Sequence, residues 1–276
     1  MKHEILNTQQ WGNVLFLEEY NTRIGIALDF GIRVVHLSVC GMENIYYVQP
    51  NDLSDHFVTP AGWRLYGGHR LWSAPESDLS YCPDNDPVSY ELLENGATIT
   101  QKKEPWLGIS KRLTITFQNG KVCLTQTIKN ENDEPFTCAS WGVNTLKPGS
   151  AEISFWGTDP GDYTPRRRIN LWANTNPHDP RLKFEKDRLL ATFQPLTDYC
   201  KLGLYTPEGV ATYTGYGQKF TLFFPTHTVE QCPDGGSNFE LYMGVKFMEL
   251  ETVGTVKTLQ PGEETSHQEF WALEAL

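Results

Sequence analysis

Alternation of apolar and polar positions dominates this chain, most clearly between Arg112 and Leu146. Leu113, Ile115 and Phe117 alternate with Arg112, Thr114 and Thr116, the period-two pattern of a strand with one buried face. Asn119-Gly120 follows, two residues that tolerate positive φ and so close a tight hairpin. The return strand carries Val122, Leu124 and Ile128 on one parity, with Thr125 and Thr127 on the other. After the turn-forming run from Asn130 to Pro135, Phe136 to Leu146 reads as a third strand. The three are expected to form an antiparallel meander.

Shorter strand pairs recur along the chain. Ile24–Leu28 and Ile32–Val39 flank Gly31; Leu182–Phe184 and Leu189–Phe193 flank a charged turn. Ala211–Thr214 and Phe220–Phe224 flank Gly215-Tyr216-Gly217; Phe239–Tyr242 and Phe247–Thr252 flank Met243-Gly244; a last strand runs from His267 to Leu273. No segment holds a helical apolar period beyond two turns. The expected fold is all-β, a large antiparallel sandwich, formed by one domain over residues 1–276. Arg64 to Tyr90 breaks the pattern with its glycines, prolines, aromatics and acids. It reads as a long functional loop rather than a core strand.

Charge narrows the partners. The formal net charge of −11 argues against a nucleic acid or an anionic membrane surface, both of which need a basic footprint. The Arg166-Arg167-Arg168 cluster reads first as a solvated loop. The start of the chain lacks a signal-peptide apolar run, and no window approaches a membrane helix, so a cytoplasmic protein is expected. The six cysteines are widely spaced, with no C-x-x-C pair, and read as buried reduced thiols. His178, His227 and His267 make no metal spacing, and neither a metal nor a cofactor is expected.

Candidate chemistry gathers in two places. His69 follows Gly67-Gly68, which can let backbone approach a ligand. Arg70 offers a forked donor and Trp72 a flat apolar face. His69 could serve acid–base work or simply tie down the loop. Glu249 and Glu251 lie two apart on one strand and so share a face, which is either solvated or lines a cleft. The segment from Pro233 to Glu240 reads first as a structural turn and second as a ligand loop, with Asp234 and Asn238 as the candidate contacts.

Several segments together resemble a bacterial family of unknown function in the galactose-mutarotase-like superfamily. They are Tyr66 to Glu76, Asp84-Asn85, Trp141 to Gly149, Asp179 to Leu182, Pro233 to Tyr242 and Met248 to Thr252. The resemblance implies a β-sandwich with a sugar-binding cleft and a small carbohydrate ligand. Aldose mutarotases of that superfamily interconvert anomers with a glutamate base and a histidine acid. Leu250-Glu251-Thr252 looks like the strand that ends in the base, so the resemblance implies Glu251 as base and His69 as acid. Arg64, Tyr66, Arg70, Asn144, Asp234, Asn238 and Glu249 would hold hydroxyls, and Trp72 would stack. The mutarotase acid on a mid-chain strand has no histidine counterpart here, because Val143-Asn144-Thr145 stands in its place. A non-catalytic sugar-binding module, or a lyase or glycosidase acting on an acidic or modified sugar, therefore stays open beside the epimerase.

Overall fold

The computed structural model describes residues 1–49, 59, 62–154 and 167–276. Residues 155–166, with Arg166 of the basic cluster among them, lie outside these residues. The first strands are β1 (Lys2–Thr8), β2 (Gly12–Glu19), β3 (Thr22–Ala27), β4 (Arg33–Val39), β5 (Gly68–Ala74), β6 (Ser89–Leu93) and β7 (Gly96–Gln101). Next come β8 (Ile109–Gln118), β9 (Lys121–Asn130), β10 (Phe136–Leu146), β11 (Ser150–Ser154), β12 (Ile169–Leu171), β13 (Leu182–Phe184) and β14 (Arg188–Thr192). The last are β15 (Cys200–Leu204), β16 (Val210–Gly215), β17 (Gln218–Phe223), β18 (Phe239–Met243), β19 (Met248–Val253), β20 (Lys257–Leu259) and β21 (Glu264–Ala275).

Among the described residues these strands form two large antiparallel sheets. One runs β1-β2-β3-β4-β5-β10-β19-β18-β15-β12, with β20 paired to the end of β10. The other runs β13-β14-β11-β16-β17-β21-β9-β8-β7-β6. Their facing sides enclose one core that includes Leu71, Leu146, Leu250, Leu241, Ile115, Leu124 and Trp271. The expected all-β sandwich is the observed architecture.

The β8–β9 hairpin forms as its alternation requires. Leu113, Ile115 and Phe117 are buried, and Asn119 and Gly120 adopt φ of 51° and 75°. The expected meander does not continue. The turn after Asn130 carries the chain across the core, and β10 joins the opposite sheet between β5 and β19, while β9 takes β21 as its second neighbour. From Cys138 to Leu146 every residue of β10 is buried, since one face meets the core and the other a cleft floor.

The supposed loop from Arg64 also differs. Its first part, β5, is a fully buried central strand. His69 is held there by Asn144 and Arg70 by Asp84, so the composition misleads about location. Gly67 and Gly68 are each required by the backbone packing, and Gly67 also lines the cleft described below. At φ of 77° and 73°, a Cβ would stand 2.0 Å from the Tyr47 carbonyl oxygen and 2.3 Å from that of Val34.

Register decides which residues reach the site. In an antiparallel pair, directly opposite residues share a face. Arg70, Val143 and Glu251 lie opposite one another across β5, β10 and β19, and so do His69, Asn144 and Leu250. A one-residue slip would exchange these rows. It would bring Leu71 and Leu250 out of the core, at about 2 kcal/mol each, and drive Arg70 and Glu251 in.

Candidate functional site

The outer face of β5, β10, β19, β18 and β15 carries a cleft of about 650 Å³. Glu249 and Glu251 line its floor beside Thr145, Val143 and Trp141. The carboxylate pair therefore faces a cleft rather than open solvent. Directly across from Glu251, β18 places Glu240, and across from Glu249 it places Tyr242. Lys201, from β15 opposite Tyr242, sits among the acids. Its Nζ is 2.9 Å from Glu240, 3.5 Å from Glu251 and 3.8 Å from Glu76. It also lies over the rings of Trp141 and Trp172, at 4.7 and 5.1 Å.

Among the described residues this is a crowded set of like charges with Lys201 as the cation in contact. Burial pushes the Glu249 carboxyl up to about 8, and the charge of Glu251 pushes the same way. Burial likewise raises Glu240 to about 8 despite Lys201, and raises Glu251. Glu251 is tied to Lys201, and among the described residues its Oε1 is buried without a hydrogen-bond partner of good geometry, although the Trp141 side chain beside it favours the charged form. Glu249 instead accepts a 2.8 Å hydrogen bond from the neutral Thr145 hydroxyl. The arrangement sets one carboxylate beside a cation and its neighbour beside a neutral donor, which separates their affinities for a proton.

The opposite end of the cleft is cationic. Asp84 is buried and receives Arg70 through Nε and Nη2 at 3.2 and 2.9 Å, Arg33 at 3.0 Å and Lys111 at 3.5 Å. These cations hold its carboxyl well below the usual carboxylate range against the opposing effect of burial. Glu104, 3.1 Å from Lys111, is the second acid of the cluster. The fork of Arg70 is thus occupied by Asp84, and its guanidinium also rests over Trp72 at 4.4 Å. Arg70 reaches the cleft as a positioned charge.

Aromatic rings build two distinct walls. Trp72 is the middle of three near-parallel indoles, with Trp63 at 5.7 Å and Trp141 at 5.0 Å. Tyr81 packs edge-on against Trp72, and the Trp72 Nε1 donates to the Ser80 carbonyl. Its faces are occupied by protein, so the stacking role expected of Trp72 has little surface to act through. The second wall runs Tyr47, Phe247, Tyr242, Tyr199, each ring within about 6 Å of the next. Tyr199 is 48% exposed and lines the cleft, which makes this row the accessible aromatic surface.

Of the residues singled out in the sequence, Glu251, Glu249, Arg64, Tyr66, Arg70 and Trp72 come together around the cleft. Asp234 lies in an adjoining chamber with Glu240, Glu76 and Trp172. His69, Asn144 and Asn238 are corrections. His69 is fully buried on the inner face of β5, with Nδ1 3.2 Å from the Asn144 side-chain oxygen and its ring against Trp271. Burial lowers its pKa and favours the neutral ring. Asn144 faces the same interior and accepts a hydrogen bond from Tyr46. Asn238 clips the backbone of Thr206, accepting from its N–H and donating to its carbonyl. None of the three lines the cleft.

Sequence reasoning passed over Lys201, Glu240 and the tyrosine–phenylalanine row. A signal existed for Lys201: it is the one charge in Cys200-Lys201-Leu202-Gly203-Leu204, a strand otherwise apolar. Among the described residues, no group of three or more histidine, cysteine or acidic side chains is placed to hold a metal ion.

No protein-family model matches the chain, and no curated protein matches it in sequence. Solved structures do. A TPR-domain-containing protein from Parabacteroides distasonis aligns at TM-score 0.66 and 15% identity over 95% of this chain, which spans about half (47%) of that protein. A candidate aldose 1-epimerase from Klebsiella pneumoniae aligns at TM-score 0.62 and 12% identity, covering 98% of this chain and 82% of its own. A galactose mutarotase-like protein from Lactobacillus casei aligns at TM-score 0.60 and 15% identity, covering 95% and 100%. Such identities speak to architecture alone, and on that ground the chain has the galactose mutarotase-like fold.

Proposed function

We propose that the cleft binds a small carbohydrate and that Glu251 acts in it as a general base on an anomeric hydroxyl, in the manner of an aldose 1-epimerase. The observation that carries this reading is the setting of Glu251. It lies on the floor of a sugar-sized cleft, with one carboxylate oxygen tethered by Lys201 and the other buried, among the described residues, without a hydrogen-bond partner of good geometry. An unpaired buried carboxylate oxygen is costly, and a hydroxyl donor from a ligand would satisfy it. A raised pKa brings a carboxylate closer to the strength that suits a base near neutral pH. Hydroxyl-rich ligands fit the remaining lining, which mixes acids, arginines and an accessible aromatic row.

The test is anomer exchange. Two-dimensional exchange NMR on equilibrated aldohexoses and aldopentoses, with and without protein, measures interconversion directly. Acceleration by wild type that is lost in Glu251→Gln supports the reading. A panel with no acceleration sinks the enzyme reading. One observation favours a second reading, a binding module without turnover: among the described residues, no histidine lines the cleft. That reading predicts saturable sugar binding by calorimetry that survives Glu251→Gln.

A further inference from the structure

Anomer interconversion needs a proton donor for the ring oxygen, and His69 stands on the wrong face of its strand. We propose that Glu249 is that donor, working with Glu251 as a carboxylate pair on one strand. This rests on the epimerase reading above.

Geometry carries the assignment. Glu249 and Glu251 alternate along β19, so both point into the cleft with Cα atoms about 7 Å apart. In an aldopyranose the anomeric oxygen and the ring oxygen are bonded to one carbon. Two neighbouring side chains that line one floor can serve both atoms. Each of the two groups has a different environment from the other. Lys201 lies 3.5 Å from Glu251 and favours its ionised form. Glu249 touches the Thr145 hydroxyl and has Tyr242 across the strand pair. Burial and the charges of Glu251 and Glu76 oppose its ionisation and outweigh the Thr145 hydrogen bond and Lys201, which favour it. A carboxyl held up to about 8 keeps its proton at neutral pH. Among the described residues, burial and nearby carboxylates raise Tyr242 and Tyr81, which makes them poorer donors, and Lys201 is raised by its three acids; Glu240, raised as far as Glu249, lines the adjoining chamber and not the cleft.

The steps balance. The Glu251 carboxylate takes the proton of the anomeric hydroxyl, whose oxygen becomes the carbonyl oxygen. The bond between C1 and the ring oxygen breaks. Its electron pair stays on the ring oxygen, which receives the proton of Glu249. The open-chain aldehyde turns about C1–C2. On closure the hydroxyl attacks C1 and returns its proton to Glu249, while the carbonyl oxygen recovers the proton held by Glu251. Both carboxyls end as they began, and nothing is oxidised or reduced.

The test uses the full chain and the exchange assay on the same aldose panel, from about pH 5 to about pH 10. Wild-type kcat is expected to fall as pH rises past about 8. Glu249→Gln should lower kcat at least about 100-fold with KM within about threefold, and Glu249→Asp should recover part of the rate. Thr145→Val should move the alkaline limb while leaving a measurable rate. Near-UV circular dichroism establishes that each variant is folded. A Glu249→Gln enzyme with wild-type kcat and the same alkaline limb overturns Glu249 as donor and leaves the epimerase reading standing. Wild type that binds a sugar but accelerates none overturns both.

Discussion

His69 stands directly opposite Asn144 in the register of β5 and β10, and the 3.2 Å contact between their side chains lies beneath the cleft floor, not on it. The pair belongs to a buried polar layer between the sheets. Tyr46 donates to Asn144, and Glu269 accepts from Trp271 at 2.6 Å, Thr252 at 2.6 Å and Asn144 at 3.4 Å. Gly142 makes room for this layer, since a Cβ there would stand 2.2 Å from Glu269. The floor of the site thus rests on hydrogen-bonded groups whose geometry is fixed, which suits precise placement of Trp141, Glu249 and Glu251 above.

Replacing His69 should therefore act on stability and not on chemistry. His69→Gln keeps a polar group but changes its shape inside a packed layer, and a loss of about 1–3 kcal/mol is expected by urea denaturation. The rate of anomer exchange per folded molecule should stay within about threefold of wild type. Loss of exchange by about 100-fold in folded His69→Gln would restore the histidine to the mechanism.

The two aromatic walls should separate binding from folding. Tyr199 is half exposed, so Tyr199→Ala should cost little stability, within about 0.5 kcal/mol. It should nevertheless weaken binding of a cognate sugar by about tenfold, because an accessible ring supplies stacking area. Trp72→Ala removes the buried centre of the indole stack and should destabilise by about 3–5 kcal/mol. Calorimetric titration beside thermal melts measures both. Equal binding by Tyr199→Ala and wild type would place the sugar elsewhere in the cleft.

Much of the fold was legible because most strands have one wet face, and alternation reports that directly. The β8–β9 hairpin is the clearest case, with its turn residues and buried parity both readable. β5 and β10 were harder, because a strand with core on one side and a cleft on the other has no solvent face to alternate against. The orientation of His69 was partly readable. It shares parity with Leu71, an apolar residue suited to the core, while Arg70 and Trp72 share the other. The pairing of Glu251 with Lys201 was not, since it depends on β15, β18 and β19 lying side by side across about fifty residues of chain.

Asp84 should prove the electrostatic anchor of the cationic end. Asp84→Asn leaves Arg33, Arg70 and Lys111 clustered around a neutral amide, with Glu104 as the remaining acid. A loss of about 3–5 kcal/mol is expected. The sign with pH follows from the depressed carboxyl. Its contribution is present above the unfolded value of about 3.9 and is lost as pH falls toward the folded value. The difference in urea stability between wild type and Asp84→Asn should thus shrink below about pH 4. A difference that stays constant down to pH 2 would remove Asp84 ionisation as its cause.

The carboxylate pair gives the opposite slope. Glu249 has a folded value of about 8, raised above the unfolded value of about 4.3. Below about pH 4.3 it is protonated in both states and carries no penalty. As pH rises from there toward 8, the unfolded chain releases the proton that the folded chain retains, and stability declines across that window. Glu249→Gln removes the titration while keeping the shape and an acceptor for the Thr145 hydroxyl. It should therefore melt above wild type at pH 8, with the gap closing toward pH 5. Paired thermal melts across that range measure the gap. A variant that is less stable than wild type at pH 8, or a gap that widens toward acid, would mean that Glu249 is ionised in the folded cleft and already paired with Lys201.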